Sequence, residues 1–127
     1  MKFIIGGAYQ GKLDYAIKKY RIRASEIADG EELDINVLSD IKCVNNYHLT
    51  IKKLLENGEK PVEFTKRILA ENPDIIIIMN EIGNGIIPIE KSERIWREQV
   101  GKTGCFLAAN ADTVERVSCG IAVIINK

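Results

Sequence analysis

The sequence predicts an α/β fold with a mostly parallel sheet, and three observations carry that prediction. Two β-branched runs, "KFIIG" at residues 2–6 and "DIIIIMNE" at residues 74–81, read as strands covered on both faces, since no polar residue alternates with the isoleucines. Segments with apolar residues at helical spacing separate the strands. With 127 residues, 46% hydrophobic and 28% charged, the chain has the size and composition of a globular protein with its own core. No repeat, low-complexity stretch or linker divides it, so a single domain over residues 1–127 is expected.

Taken in order, "KFIIG" is a strand that ends on glycines. From Lys12 to about Arg23, Leu13, Ala16, Ile17 and Tyr20 recur at helical spacing, so the glycine turn opens into a helix. In residues 23–40, "LDINVL" alternates like a short strand between acidic turn residues. "CVNNYHLTIKKLLENG" places Val44, Tyr47, His48, Ile51, Leu54 and Leu55 on one helical stripe, with Gly58 as its C-terminal cap. "PVEFTKRILAEN" is a helix with Pro61 in its first turn and Val62, Phe64, Ile68 and Leu69 as apolar contacts; Pro73 ends it. After the loop "IGNGIIP", "EKSERIWREQVG" reads as a helix that buries Ile95 and Val100, "CFLAANADTVERV" as a further helix, and "VSCGIAVIIN" as a strand or hairpin. A ligand of such a fold belongs beyond the carboxyl ends of the strands.

Eighteen basic and eighteen acidic residues cancel, which removes any general electrostatic case for nucleic acid or an anionic membrane. Cys43, Cys105 and Cys119 show no CxxC pairing, which argues against a disulfide framework or structural zinc and suits a reducing compartment. "MKFIIGG" lacks the basic-then-apolar pattern of a leader, and the apolar runs "IIIIM" and "IAVII" are too short for a bilayer. A cytoplasmic protein is expected.

Gly6, Gly7, Gly11 and Lys12 stand at the spacing of a phosphate-binding loop, GxxxxGK, between a predicted strand and a predicted helix. Glycines let such a backbone aim several N–H groups at one anion, the lysine adds a mobile positive charge, and the helix adds its N-terminal dipole. The plainer alternative is a strand-to-helix turn with a solvated lysine. Leu13 occupies the position where the loop carries a magnesium-binding hydroxyl. Asp14, next to it, would repel the phosphates and is a poor substitute.

The remaining motifs place the loop. "NEIGNGIIP" at residues 80–88 and "RIWREQVGKTGCFLAANADTVERVSCGIAVII" at residues 94–125 resemble the C-terminal half of the adenosylcobinamide kinase / adenosylcobinamide-phosphate guanylyltransferase family. "GGAYQGKL" at residues 6–13 is similar to its N-terminal glycine loop. The resemblance implies a P-loop nucleoside triphosphate fold in three layers, a GTP or ATP substrate with magnesium, and a cobinamide-like acceptor. It implies that the loop of Gly6, Gly7, Ala8, Tyr9, Gln10, Gly11, Lys12 and Leu13 holds nucleotide phosphates. It also implies a place near the reaction centre for Glu81 and for residues 83–88.

The departures from the family are specific. The segment that carries the guanylylated histidine is missing; His48 is the only histidine, falls on a later helix, and is read as a packing or surface residue rather than a nucleophile. Loss of guanylyl transfer is expected. Gln10 and Leu13 replace loop serines, Gly104 and Cys105 replace an Asn-Gln pair, and Cys119 replaces the serine of the closing turn. A weakened magnesium site is therefore expected.

Among other candidates, Glu81 at a strand end is read as a ligand or orienter of magnesium or as the base that activates the attacking hydroxyl, with Asp40 a weaker second carboxylate. Arg94 and Arg97, three apart on a helix, share a side and could clamp a phosphate, or pair with Glu90, Glu93 and Glu98. Trp96 suits stacking on a ring or plain packing. Asp112 is read as a cap or a partner of Arg116, and neither Cys105 nor Cys119 has a neighbour that would activate it. Three readings follow: a trimmed kinase that uses Lys12 and Glu81, a non-catalytic nucleotide- or anion-binding module, and a homo-oligomer whose site is completed by another copy.

Overall fold

In the computed structural model, which describes residues 1–34, 40–82 and 90–126, strands and helices alternate. They are β1 (Lys2–Gly6), α1 (Lys12–Tyr20), a 3-10 turn at Ala24–Glu26, β2 (Ile27–Asp29), β3 (Cys43–Asn45), α2 (Tyr47–Glu56), α3 (Pro61–Glu71), β4 (Ile76–Asn80), α4 (Lys91–Asn110), β5 (Thr113–Ser118) and β6 (Ile121–Asn126). Among the described residues one six-stranded sheet runs in the order β2-β3-β4-β1-β5-β6. All neighbours are parallel except the β5–β6 hairpin.

The isoleucine run of β4 shows why both faces must be covered. Ile75, Ile77 and Met79 point into a core shared with Phe3, Tyr47, Ile51, Phe64, Ile68 and Leu107, which places α2, α3 and α4 on one face. Ile76 and Ile78 point the other way, into a smaller core with Ile4, Cys43, Val117 and Ala16 of α1. The result is the expected three-layer α/β architecture with a mostly parallel sheet.

Several elements differ from the sequence reading. Val44 lies in β3, not on the following helix, because Cys43 and Val44 form a buried three-residue strand too short to show alternation. The "LDINVL" strand falls largely on residues 35–39, outside the described residues, whereas the unread Ile27–Asp29 pairs with β3. One helix, α4, replaces the two expected: it runs through Gly101 and Gly104 because Val100, Thr103 and Leu107 are buried along it, enough to offset about 1 kcal/mol per glycine. "TVERV" is strand β5, misread as helical because Glu115 looks like a solvated charge.

Glu115 is in fact fully buried. Its carboxylate accepts from the Tyr15 and Tyr20 hydroxyls and from Lys19 Nζ at 2.6 Å, all three from α1, with Thr113 Oγ1 at 3.3 Å. Burial pushes its pKa up, but Lys19 and the two phenols outweigh that and hold it below its usual value. The Gly58 cap is present as read: Gly58, at φ 71°, donates to the Leu55 carbonyl at 3.1 Å and Glu59 donates to Leu54 at 2.9 Å, a Schellman motif. The closing hairpin turns through Cys119 and Gly120, at φ 51° and 76°, the backbone of a two-residue primed turn.

Candidate functional site

The glycine loop leaves β1 at Gly6 and enters α1 at Lys12. Gly6 has no room for a side chain, since a Cβ would collide with the Val117 carbonyl of β5. Gly11, at φ 86°, faces Gly120 back to back; a Cβ there would meet Gly120 Cα at 3.3 Å. The first bond of α1 runs from Tyr15 N–H to the Gly11 carbonyl at 3.0 Å, so the N–H groups of Lys12, Leu13 and Asp14 stand at the open, positive end of the helix. Gln10 ties the loop to the hairpin: its carbonyl accepts Gly120 N–H at 2.8 Å and its Oε1 accepts Cys119 N–H at 2.7 Å. Tyr9 crowns the loop, fully exposed at φ 59°.

Lys12 is buried and donates from Nζ to the Gly7 carbonyl at 2.5 Å. Burial lowers its pKa, with the charge of Glu81 pulling the other way. The loop thus curls around its own ammonium group, which an incoming phosphate could take over from a single backbone carbonyl.

Facing the loop are the carboxyl ends of β3 and β4, where Asn45, Asn46, His48, Leu49 and Asn80 complete the wall of a cavity of about 600 Å³ with residues 8–14. Asn46 sits at φ 58° at the head of α2. His48 is only 6% exposed. Its Nδ1 accepts the Asn80 N–H at 3.2 Å, which leaves the proton of the neutral ring on Nε2. Burial and the nearby Lys12 charge push its pKa down to about 4, against a smaller upward pull from Asp29. The sequence reading of His48 left packing and surface roles open; the residue is buried and stands in the cavity wall. Asn45 and Asn46 were not singled out, and Asn80 entered only as the first residue of the "NEIGNGIIP" motif. The one available signal was a polar pair directly after an apolar strand, "CVNN", at the end of the sheet where ligands sit.

Glu81 follows β4, and its N–H donates to the Gly6 carbonyl at 2.9 Å. Its Oε1 accepts from both Nε and Nη2 of Arg116, each at 2.6 Å. Asp112 instead pairs with the Met1 amino group at 2.7 Å. Glu81 and Arg116 border a second, mostly apolar groove of about 440 Å³ between the sheet and α4, and Asn80 lines both cavities. Arg94 and Arg97 do not line the loop cavity; Arg97 lies 3.7 Å from Glu93 one turn away. From that helix Trp96 reaches inward, donating Nε1–H to the His48 carbonyl at 2.8 Å. Asp40 lies beside the starts of β3 and β4, at the opposite end of the sheet. Residues 83–88 are outside the described residues.

A magnesium ion beside nucleotide phosphates is ordinarily held by a loop hydroxyl and one or two carboxylates, and the loop position that would supply the hydroxyl carries Leu13. Leu13 turns its side chain partly into the α1 core. Asp14, exposed, is the one carboxylate lining the loop cavity.

A strand running through a glycine loop into a lysine-bearing helix, beneath a cavity over the carboxyl ends of a parallel sheet, defines an α/β protein of the phosphate-loop class. Within that class the chain belongs to the cobinamide kinase / cobinamide phosphate guanyltransferase family, whose model matches residues 28–125. That family serves cobalamin biosynthesis. The matched span contains Asn45, His48, Asn80 and Glu81, while the glycine loop precedes it, so the loop stands on its geometry. No curated protein matches the chain. No helix among the described residues is long and apolar enough to cross a membrane.

Proposed function

We propose that the chain is a phosphotransferase of the cobinamide kinase type that binds the phosphates of GTP or ATP on residues 6–13 and phosphorylates a hydroxyl of a cobinamide-like acceptor. The observation that carries this reading is Lys12: a buried ammonium at a strand–loop–helix junction, bordering a cavity of nucleotide size. In the transfer the acceptor oxygen attacks the terminal phosphorus as the bond to the bridging oxygen breaks. Lys12 and the N–H groups at the head of α1 stabilise the charge that spreads over the phosphoryl oxygens. Glu81, aimed by Arg116 and sharing a wall with both cavities through its neighbour Asn80, takes the hydroxyl proton, with the acceptor in the groove along α4.

Loss of guanylyl transfer fits the state of His48. A nucleophilic imidazole needs a free nitrogen lone pair, and the Nδ1 pair is taken by the Asn80 N–H. Three free thiols agree with a cytoplasmic setting. Edge strand β6, with Ile121, Val123, Ile124 and Ile125 exposed, offers a surface for the expected homo-oligomer. The absence of a hydroxyl at Leu13 favours the second reading, a binding module without turnover.

Calorimetric titration with GTP and ATP, for the wild type and Lys12→Ala, tests the site. The expected result is binding that weakens at least about tenfold in the variant; equal binding by both proteins, or none by the wild type, overturns it. Phosphorus NMR with cobinamide then separates kinase from module.

A further inference from the structure

The carboxyl ends of β3 and β4 are where a phosphate-loop enzyme presents acidic side chains to a metal, opposite the loop hydroxyl that completes its coordination. Here those strand ends carry Asn45, Asn46 and Asn80, and the hydroxyl position carries Leu13; all four line the same cavity. Asn45, Asn46 and Leu13 depart from that pattern on separate elements and change the same chemistry, while Asn80 belongs to the Asn-Glu pair of the motif that resembles the family. A carboxylate can only accept, and beside a phosphate it repels unless a cation lies between them. A carboxamide is neutral, and its NH2 donates to a phosphate oxygen directly. Magnesium, a hard cation, is ordinarily held by one or two carboxylates together with the phosphates.

Taking the nucleotide reading above as its basis, we infer that this cavity binds a nucleoside polyphosphate without a protein-held metal ion, its amide wall of Asn45, Asn46 and Asn80 standing where metal ligands would be. The nearby carboxylates do not restore a metal site. Glu81 borders the groove along α4 and is not part of the loop cavity's wall. Asp29, at the end of β2, accepts the Glu31 N–H at 3.1 Å and is not part of the cavity wall. Asp14 lines the cavity as its one carboxylate, exposed on the first turn of α1 beside Leu13, with no hydroxyl to complete a site. The positive groups that meet the phosphates are Lys12 and the head of α1, and His48, neutral, adds a donor rather than a charge.

The test is calorimetric titration of the wild type with ATP and with GTP, in excess magnesium chloride and again in excess EDTA, beside Asn45→Asp and Leu13→Ser/Asn45→Asp. The expected wild-type dissociation constants agree within about threefold in the two media, while the double variant binds about tenfold more weakly in EDTA than in magnesium. Asn45→Asp alone, nearly isosteric, carries the comparison if the double variant fails to fold, and should show the same direction. Wild-type binding at least about tenfold weaker in EDTA overturns this inference and leaves the nucleotide site standing. Absence of binding in both media overturns the nucleotide reading itself, and this inference with it.

Discussion

His48 gives the structure a direct pH assay. The chain holds a single histidine, so its titration is not mixed with that of another imidazole. In the folded protein burial first, and Lys12 second, push its pKa down to about 4, from an ordinary value of 6.5. The unfolded chain takes up the proton near 6.5 and the native state resists it. The stability it contributes is therefore fully present above 6.5 and is lost as the pH falls towards 4. The full gap corresponds to roughly 3 kcal/mol, of which about 2 kcal/mol should already be gone at about pH 5. That loss is a large share of the net stability of a small domain. Urea unfolding of the wild type at about pH 7.5 and about pH 5 should show this drop, and His48→Asn, whose amide oxygen can still accept the Asn80 N–H, should show little of it. The imidazole NMR signal should titrate near 4 in the folded protein. A midpoint near 6.5, or stabilities within about 0.5 kcal/mol at the two pH values, would refute the burial and the Lys12 coupling together.

Other consequences are equally direct. Gly58→Ala meets no neighbour but must adopt φ 71°, so urea unfolding should show a loss of about 1 kcal/mol. Gly101→Ala, exposed in mid-α4 with open space at its Cβ, should gain about the same amount in that assay. Tyr20→Phe removes a hydroxyl that bonds Glu115 Oε2 at 2.5 Å and should cost about 2 kcal/mol. Because Glu115 is held below its ordinary 4.5, its contribution is present above that value and fades as the pH falls further, so Tyr20→Phe should bring acid unfolding to a higher pH.

Much of the architecture was legible in the chain because it depends on local chemistry. The isoleucines of β4 admit no solvated face, Gly58 marks a helix end because few other residues tolerate its backbone, and the glycines from Gly6 to Gly11 mark the tight turn from β1 into α1. Misreadings came where local and tertiary signals conflict. Val44 fits a helical stripe as well as a strand. Glu115 looks solvated until Tyr15, Lys19 and Tyr20 arrive from α1 to bond its carboxylate.

The site divides in the same way. The sequence by itself determined the class of fold, the loop and its lysine, and the family, since each rests on residue types in a short, ordered pattern. Only the tertiary structure decided what faces Lys12. Asn45, His48 and Asn80 come from two strand ends and a helix head that no spacing brings together. Glu81 proved to be engaged by Arg116, 35 residues away, and the arginines of α4 gave way to Trp96 against the His48 backbone. Side chains distant in sequence meet only because a parallel sheet gathers its carboxyl ends at one edge, and the chemistry there is set by which of them arrive.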